Sequence, residues 1–126
     1  MKQIMIFLTA SFMLLSFRAT PGLDEVIQAF KTANASSMAR YFDQTVEISL
    51  PEKTNSFSKS QAEMVLKDFI SLNGIKGFNL LHKGENAGSE YFIGQMPGKV
   101  HSFRVTVFLK QKDKGLVVQE IRFENN

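Results

Sequence analysis

Cysteine is absent from this 126-residue chain, and histidine occurs only twice, at His82 and His101. Without cysteine there is no disulfide staple, no thiol nucleophile and no lipid-modified N-terminal cysteine. Two isolated histidines, with no closely spaced carboxylate–histidine set, leave no ligand pattern for a metal, so neither metal nor cofactor is expected. A serine elbow is missing as well. Gly94-Gln95-Met96-Pro97-Gly98-Lys99 superficially matches a phosphate loop. It has one residue too few between its glycines, Val100 where Ser or Thr is required, and a strand rather than a helix after it. It reads as a hairpin turn.

Long apolar runs are scarce. Ile4 to Phe17, broken by Thr9, Ser11 and Ser16, is shorter than the ~20 residues a spanning helix needs. It follows Lys2 and precedes the small residue Ala19, which is the layout of a signal peptide, although the bulky Phe17 lies two places upstream. No polar face recurs in it at helical spacing, which argues against a buried first helix. The expected organisation is a signal peptide over 1–19 and a single domain over 20–126, exported to the periplasm or cell exterior without a stable membrane anchor. Charge of one sign is also lacking. Of 15 Lys and Arg, removal of Lys2 and Arg18 leaves 13 against 12 Asp and Glu, a net of +1. Nucleic acid is therefore not expected as a partner.

The most informative stretch runs from Lys76 to Glu124. It reads KGFNLLHKGE, SEYFIGQMPG, KVHSFRVTVFLKQKDKG and LVVQEIRF, four apolar runs separated by glycine-containing turns. This predicts a four-stranded antiparallel meander. Phe103, Val105, Val107 and Leu109 share one face of the third run, and Ser102, Arg104, Thr106, Phe108 and Lys110 the other. The last run puts Ile121 and Phe123 opposite Glu120 and Arg122.

Upstream, Thr20-Pro21-Gly22 opens a helix whose Leu23, Val26, Ile27 and Phe30 form one stripe, with Asp24 and Glu25 where the dipole favours carboxylates. Asn34 to Ser37 breaks it, and a second short helix is expected to carry Met38, Tyr41 and Phe42. Asn34-Ala35-Ser36 also matches a glycosylation sequon, too short a match to carry weight. Thr45 to Leu50 alternates as a half-buried strand that Pro51 ends. Glu52 to Asn55 read as a polar turn into a short extended Ser56-Phe57. Ser58-Lys59-Ser60-Gln61 is a capping box, and Ser60 with Glu63 a second one in an overlapping frame. The helix they open has a predicted buried stripe of Ala62, Val65, Leu66 and Phe69, and Gly74 as its left-handed stop.

The fold class read from these elements is α+β, with helices covering the inner face of an antiparallel sheet. This order of elements resembles the nuclear transport factor 2-like superfamily, also called the cystatin-like cone. The segments SKSQAEMVLKDF, FNLLHKG, YFIGQM, FRVTVFLK and VQEIRFE are similar to a family of small secreted bacterial proteins with this fold and no assigned function. The resemblance spans residues 20 to 124. It implies a cone-shaped domain, with the N-terminal helices packed in the concave face of a strongly bent antiparallel sheet, and a homodimer through the outer sheet face.

Three residues are candidates for chemistry. His82 would act as a general base if it faced into the cone beside Tyr41, Asp43 or His101. The bland alternative is a histidine bonded at a strand end beside a glycine bulge. Arg104, Glu120 and Arg122 fall on the outer face as an anion or partner site or, preferably, a cross-strand charge ladder. Phe108 and Val118 are the apolar positions that alternation assigns to that face. The favoured reading is a non-enzymatic exported module that binds a small ligand or a protein partner. The alternative is a small isomerase, dehydratase or hydrolase that uses His82 or Asp43 for proton transfer.

Overall fold

The computed structural model describes residues 22–86, 88–113 and 115–126, so the expected signal peptide over 1–19 lies outside the described residues. Two short helices come first: α1 (Leu23–Lys31) and α2 (Ala35–Ala39). A hairpin follows, β1 (Phe42–Leu50) and β2 (Lys53–Ser58), then the long helix α3 (Lys59–Asn73). The meander β3 (Asn79–Asn86), β4 (Ser89–Pro97), β5 (Ser102–Lys112) and β6 (Gly115–Asn125) completes the chain. All six strands join one open, curved sheet in the order β2-β1-β6-β5-β4-β3, and the helices lie against its inner face.

The local signals explain each helix. Asp24 and Glu25 sit in the first turn of α1, and Leu23, Val26, Ile27 and Phe30 are buried on one side. The Asn34 side chain accepts a hydrogen bond from the Ser37 amide and so caps α2. That helix stops at Ala39, earlier than expected. Tyr41 lies in a turn and Phe42 opens β1, where its ring is buried. At α3 the capping box forms as predicted: Ser58 accepts from the Gln61 amide and Gln61 accepts from the Ser58 amide. The overlapping Ser60–Glu63 frame is not used, and Glu63 instead accepts from the Ser36 hydroxyl at 2.9 Å, tying α3 to α2. Gly74 ends the helix in the left-handed conformation at φ 63°.

The meander ladders are antiparallel, as predicted. Two features depart from local reading. First, β1 joins the meander by a parallel ladder to β6, with Glu47 opposite Glu120 and Ile48 opposite Ile121, so the sheet is mixed rather than wholly antiparallel. Second, Gln119 is an extra residue in β6: Phe108 pairs with Glu120, but Leu109 pairs with Val118. The bulge shifts the pleat by one place. Val118, expected on the outer face, therefore turns inward and is 0% exposed. β2 is also longer than its polar sequence suggests, because backbone pairing with β1 from Lys53 to Ser58 needs no apolar alternation.

The core is apolar throughout, with no buried polar or charged residue among the described residues. Phe30, Phe78 and Phe92 meet edge-on at its centre, and Met38, Met96, Val105, Val107 and Ile121 surround them.

Candidate functional site

The cone is filled on one side and open on the other, and α3 marks the boundary. Ala62, Leu66 and Ile70, spaced four apart, are its buried residues. Val65, Asp68, Phe69, Leu72 and Asn73 form a second stripe at i, i+3, i+4, i+7 and i+8, which places them together on an adjacent helix face. Val65 and Phe69, expected in the core, are only partly buried, and Leu72 is 85% exposed. The second stripe faces the β1–β2 hairpin across a groove.

That groove has two recesses. The outer one, about 340 Å³, has Leu50, Phe69, Leu72 and Phe103 as its apolar lining. Glu52, Lys53, Asn73, His101 and Asn125 supply its polar rim. The inner one, about 270 Å³, lies between Val65 and Asp68 on α3 and Ile48, Asn55 and Phe57 on the hairpin. Leu50 and Lys53 border both. Phe69 packs on Phe103 and Phe123, with ring centroids 5.0 and 4.6 Å away, so the floor is rigid aromatic surface.

The outer end is built by the β4–β5 turn, Pro97 to Ser102, as expected of a hairpin. The Lys99 amide donates to the carbonyl of Asn73 at 2.8 Å, and the Gly98 amide donates to that of His101 at 2.8 Å. A Cβ on Gly98 would stand 2.6 Å from both those carbonyl oxygens, so this close seating of turn on helix requires glycine. It brings His101 to the groove and leaves Val100 84% exposed at the same end as Leu72.

The candidate residues do not converge. His82 is exposed on β3, and its Nε2 lies 3.0 Å from the Tyr91 hydroxyl. The bulge beside it is at Leu81, between the pairs Leu80–Gly94 and His82–Ile93, rather than at Gly84. Gly84 has another role: a side chain there would collide with the Tyr91 ring, which lies across it. Tyr41 donates from its hydroxyl to Glu25 at 3.0 Å, and burial together with that carboxylate raises its pKa above the usual value. Asp43 accepts from Gln119 at 3.0 Å and pairs with Lys112 at 2.9 Å. The Gln119 hydrogen bond above all, with help from Lys112, holds its carboxyl below the usual range. Asp43 and Tyr41 belong to the β1 side of the sheet, and His82 to its far edge, four ladders away. His101, named only as a neighbour of His82, is the imidazole that borders the groove. No group of His, Asp and Glu able to hold a metal ion occurs among the described residues.

The outer face carries ordinary strand-surface contacts. Arg122 pairs with Glu120 along β6 at 2.8 Å rather than across strands, and its guanidinium lies 5.3 Å from the Phe108 ring centre. Arg104 stands opposite Glu124 in register. With Val118 turned inward, Phe108 alone remains of the expected outer apolar pair. At the N-terminal end of α1, Lys83 of β3 pairs with Asp24 at 2.7 Å. Among the described residues no helix is long and apolar enough to cross a membrane.

The groove wall Val65-Phe69-Leu72 was not separated from the core by sequence periodicity, which put Val65 and Phe69 in the buried stripe with Ala62 and Leu66. It merged with the core stripe because Leu66 and Ile70 interleave with it.

No curated protein matches the chain. Among solved structures, a DUF4783 family protein from Bacteroides ovatus is 27% identical, with 80% of this chain and 92% of that one aligned at a TM-score of 0.76. Another from Bacteroides uniformis is also 27% identical, with 82% and 95% aligned at 0.76. A protein of unknown function with a cystatin-like fold from Nostoc punctiforme shares the architecture at 8% identity and a TM-score of 0.63, over 82% of this chain and 87% of that one. The sequence signature of the domain of unknown function DUF4783 matches residues 23–124, and the chain belongs to that family, with a nuclear transport factor 2-like, cystatin-like fold.

Proposed function

We propose that this protein is an exported, non-enzymatic module that binds a small ligand in the groove between α3 and the β1–β2 hairpin. The observation that carries the reading is the second apolar stripe of α3, in which Val65 and Phe69 are only partly buried at the edge of the core and Leu72 is exposed, so that one side of it borders the groove. A volume of about 340 Å³ lies at the small end of the range for ligand pockets, which combine apolar walls with a few polar groups. Export rests on the character of residues 1–19.

The enzymatic alternative through His82 or Asp43 finds little support. Neither residue lines the groove, and each is engaged with its own neighbour. A carboxylate held below its usual pKa by hydrogen-bond donors is a poor proton acceptor near neutral pH.

The test is a thermal-shift screen of the purified protein against a broad metabolite set, followed by amide chemical-shift mapping of any hit. A ligand present at about 100 times its dissociation constant adds roughly 2.7 kcal/mol, several degrees for a domain of this size. A saturable shift, with perturbed amides at Phe69, Leu72 and Phe103, is expected. Hits whose perturbations centre on His82 and Tyr91, or no saturable hit at all, would sink the proposal.

A further inference from the structure

The sheet is open, so it ends in two edges, β2 and β3. A free edge presents a row of unpaired backbone N–H and C=O groups, and natural sheets blunt such rows with bulges, charges or proline. β3 is blunted: it bulges at Leu81, and the charged Lys83 and Glu85 follow. β2 has none of these devices between Thr54 and Ser58. Its ladder to β1 is regular throughout, and Lys53, at its start, is its one charged residue.

The hairpin loop determines which groups of β2 are free. In an antiparallel pair closed by a two-residue loop, the residues flanking the loop exchange hydrogen bonds, and every second residue beyond them does the same. Leu50 and Lys53 flank Pro51-Glu52, so Lys53, Asn55 and Phe57 bond to β1. Thr54, Ser56 and Ser58 turn their backbone groups the other way. The Ser58 amide agrees with this phase, because it donates to the Gln61 side chain at 3.2 Å. Among the described residues, Thr54 and Ser56 have no backbone partner outside β1. Side chains alternate about the same strand. The Thr54 hydroxyl donates to that of Ser49 on the outer face. Lys53, Asn55 and Phe57 border the inner recess, whose other wall includes Val65 and Asp68 of α3.

We propose that the free edge of β2 docks an extended peptide segment of a partner protein, added antiparallel as a further strand of the sheet. Unpaired N–H and C=O groups in register match another extended backbone and not a compact ligand, and a recess beside the edge strand reads alternate side chains of the incoming one. The incoming residue opposite Asn55 points to the same face as Asn55, toward Phe57 and Val65, and is therefore apolar. This site borders the groove of the ligand reading, but it rests on the strand edge and not on that reading.

The probe is an acetylated, amidated peptide, Thr-Asn-Thr-Leu-Thr-Asn-Thr, titrated into the purified protein and followed by amide chemical shifts. Saturable perturbation is expected at Thr54, Asn55, Ser56 and Val65. N-methylation of the two threonines flanking the leucine, whose amides face β2, should weaken binding about tenfold or more, the worth of two hydrogen bonds. Methylation of the leucine amide, which faces away, should change it little. Glycine in place of leucine should cost about tenfold or more through lost apolar burial. Ser56→Pro should abolish binding while the β1 amides keep their native shifts, because proline is tolerated where an edge N–H faces solvent. If that variant does not fold, the methylated peptides decide. Equal binding of the plain and doubly methylated peptides overturns the proposal. So does an absence of saturable binding up to the peptide's solubility limit, or perturbation centred on β3 or on Phe69, Leu72 and Phe103. A dimer in sedimentation that Ser56→Pro dissolves would give the edge to a second copy of this chain, and would overturn it too. If a metabolite perturbs Phe69, Leu72 and Phe103 while the peptide fails to bind, the ligand reading stands and this one falls.

Discussion

Two groups of three phenylalanines stand on the inner face of the sheet, and the chain treats them differently. Phe30, Phe78 and Phe92 meet edge-on at 5.3 to 6.1 Å, with Phe30 supplied by α1 and Phe78 by the segment after α3. All three are buried, and Phe92 is 0% exposed. Phe69, Phe103 and Phe123 pack at comparable distances, 4.6 and 5.0 Å about Phe69, yet Phe69 and Phe103 line a groove. Composition is the same in both groups. The difference lies at one ring: α1 closes the first group, whereas in the second Phe103 and Phe123 are buried at 3% and 1% and only Phe69 is left partly uncovered along the groove. A closed core and the floor of a groove can thus be made from one residue type, and the covering element decides which results.

The comparison can be broken most sharply by removing one ring from each group. Phe92→Ala should cost about 3–5 kcal/mol, the usual loss for a fully enclosed ring. Phe69→Ala should cost roughly half as much, because water and neighbouring side chains can enter an open site. Urea denaturation of the two variants measures both, and equal losses would mean that the second group is as closed as the first.

A smaller effect tests the seal itself. Gly94 lies beneath the Phe78 ring, and a Cβ there would also come within 2.6 Å of the Asn79 carbonyl oxygen. Gly94→Ala should therefore destabilise by about 1–3 kcal/mol through overpacking. It should also speed hydrogen exchange around Phe78 and Phe92 while leaving the Phe69 amides unchanged. Uniform acceleration across both groups would show that they unfold as one unit.

The smallest effect concerns the seam between the regions. Asp43, at the start of β1, reaches the bulged Gln119 of β6 and Lys112 of the β5–β6 hairpin. Its pKa in the folded state is lowered, so its contribution to stability is present above the unfolded value of about 4 and is lost as pH falls through the lower folded value. Asp43→Asn should flatten that acid limb in denaturation profiles between neutral pH and pH ~3. A limb of unchanged slope would assign the acid sensitivity to other carboxylates.

Local signals in the text account for much of this architecture. The Ser58–Gln61 box, the Gly74 stop and the strict alternation of Phe103, Val105, Val107 and Leu109 are each written within a few residues, and each appears as expected. What escaped depends on residues far apart in sequence. The parallel partnership of β1 with β6 has no local period to announce it. The extra residue at Gln119 is recognisable only against β5, and it carries Val118 from the outer face to the inner one. The groove was half legible: Val65 and Phe69 are apolar and helical in spacing, so they read as core, and only the distance of the hairpin leaves them uncovered. His82 shows the limit of reading chemistry from residue type, since its direction follows from the Leu81 bulge and from a tyrosine that lies across Gly84.

The parallel ladder between β1 and β6 also bears on how the chain reaches this shape. Its pairs, such as Ile48 with Ile121 and Ser49 with Arg122, join segments from opposite ends of the described sequence. Closing so large a loop costs entropy before any contact repays it, and folds rich in distant pairings form slowly. The meander can assemble from neighbouring hairpins, whereas the β1–β2 hairpin has no sheet to join until β6 is in place. The hairpin wall of the groove is therefore expected to be the last part of the molecule to form during refolding, behind a kinetic phase that the meander does not share.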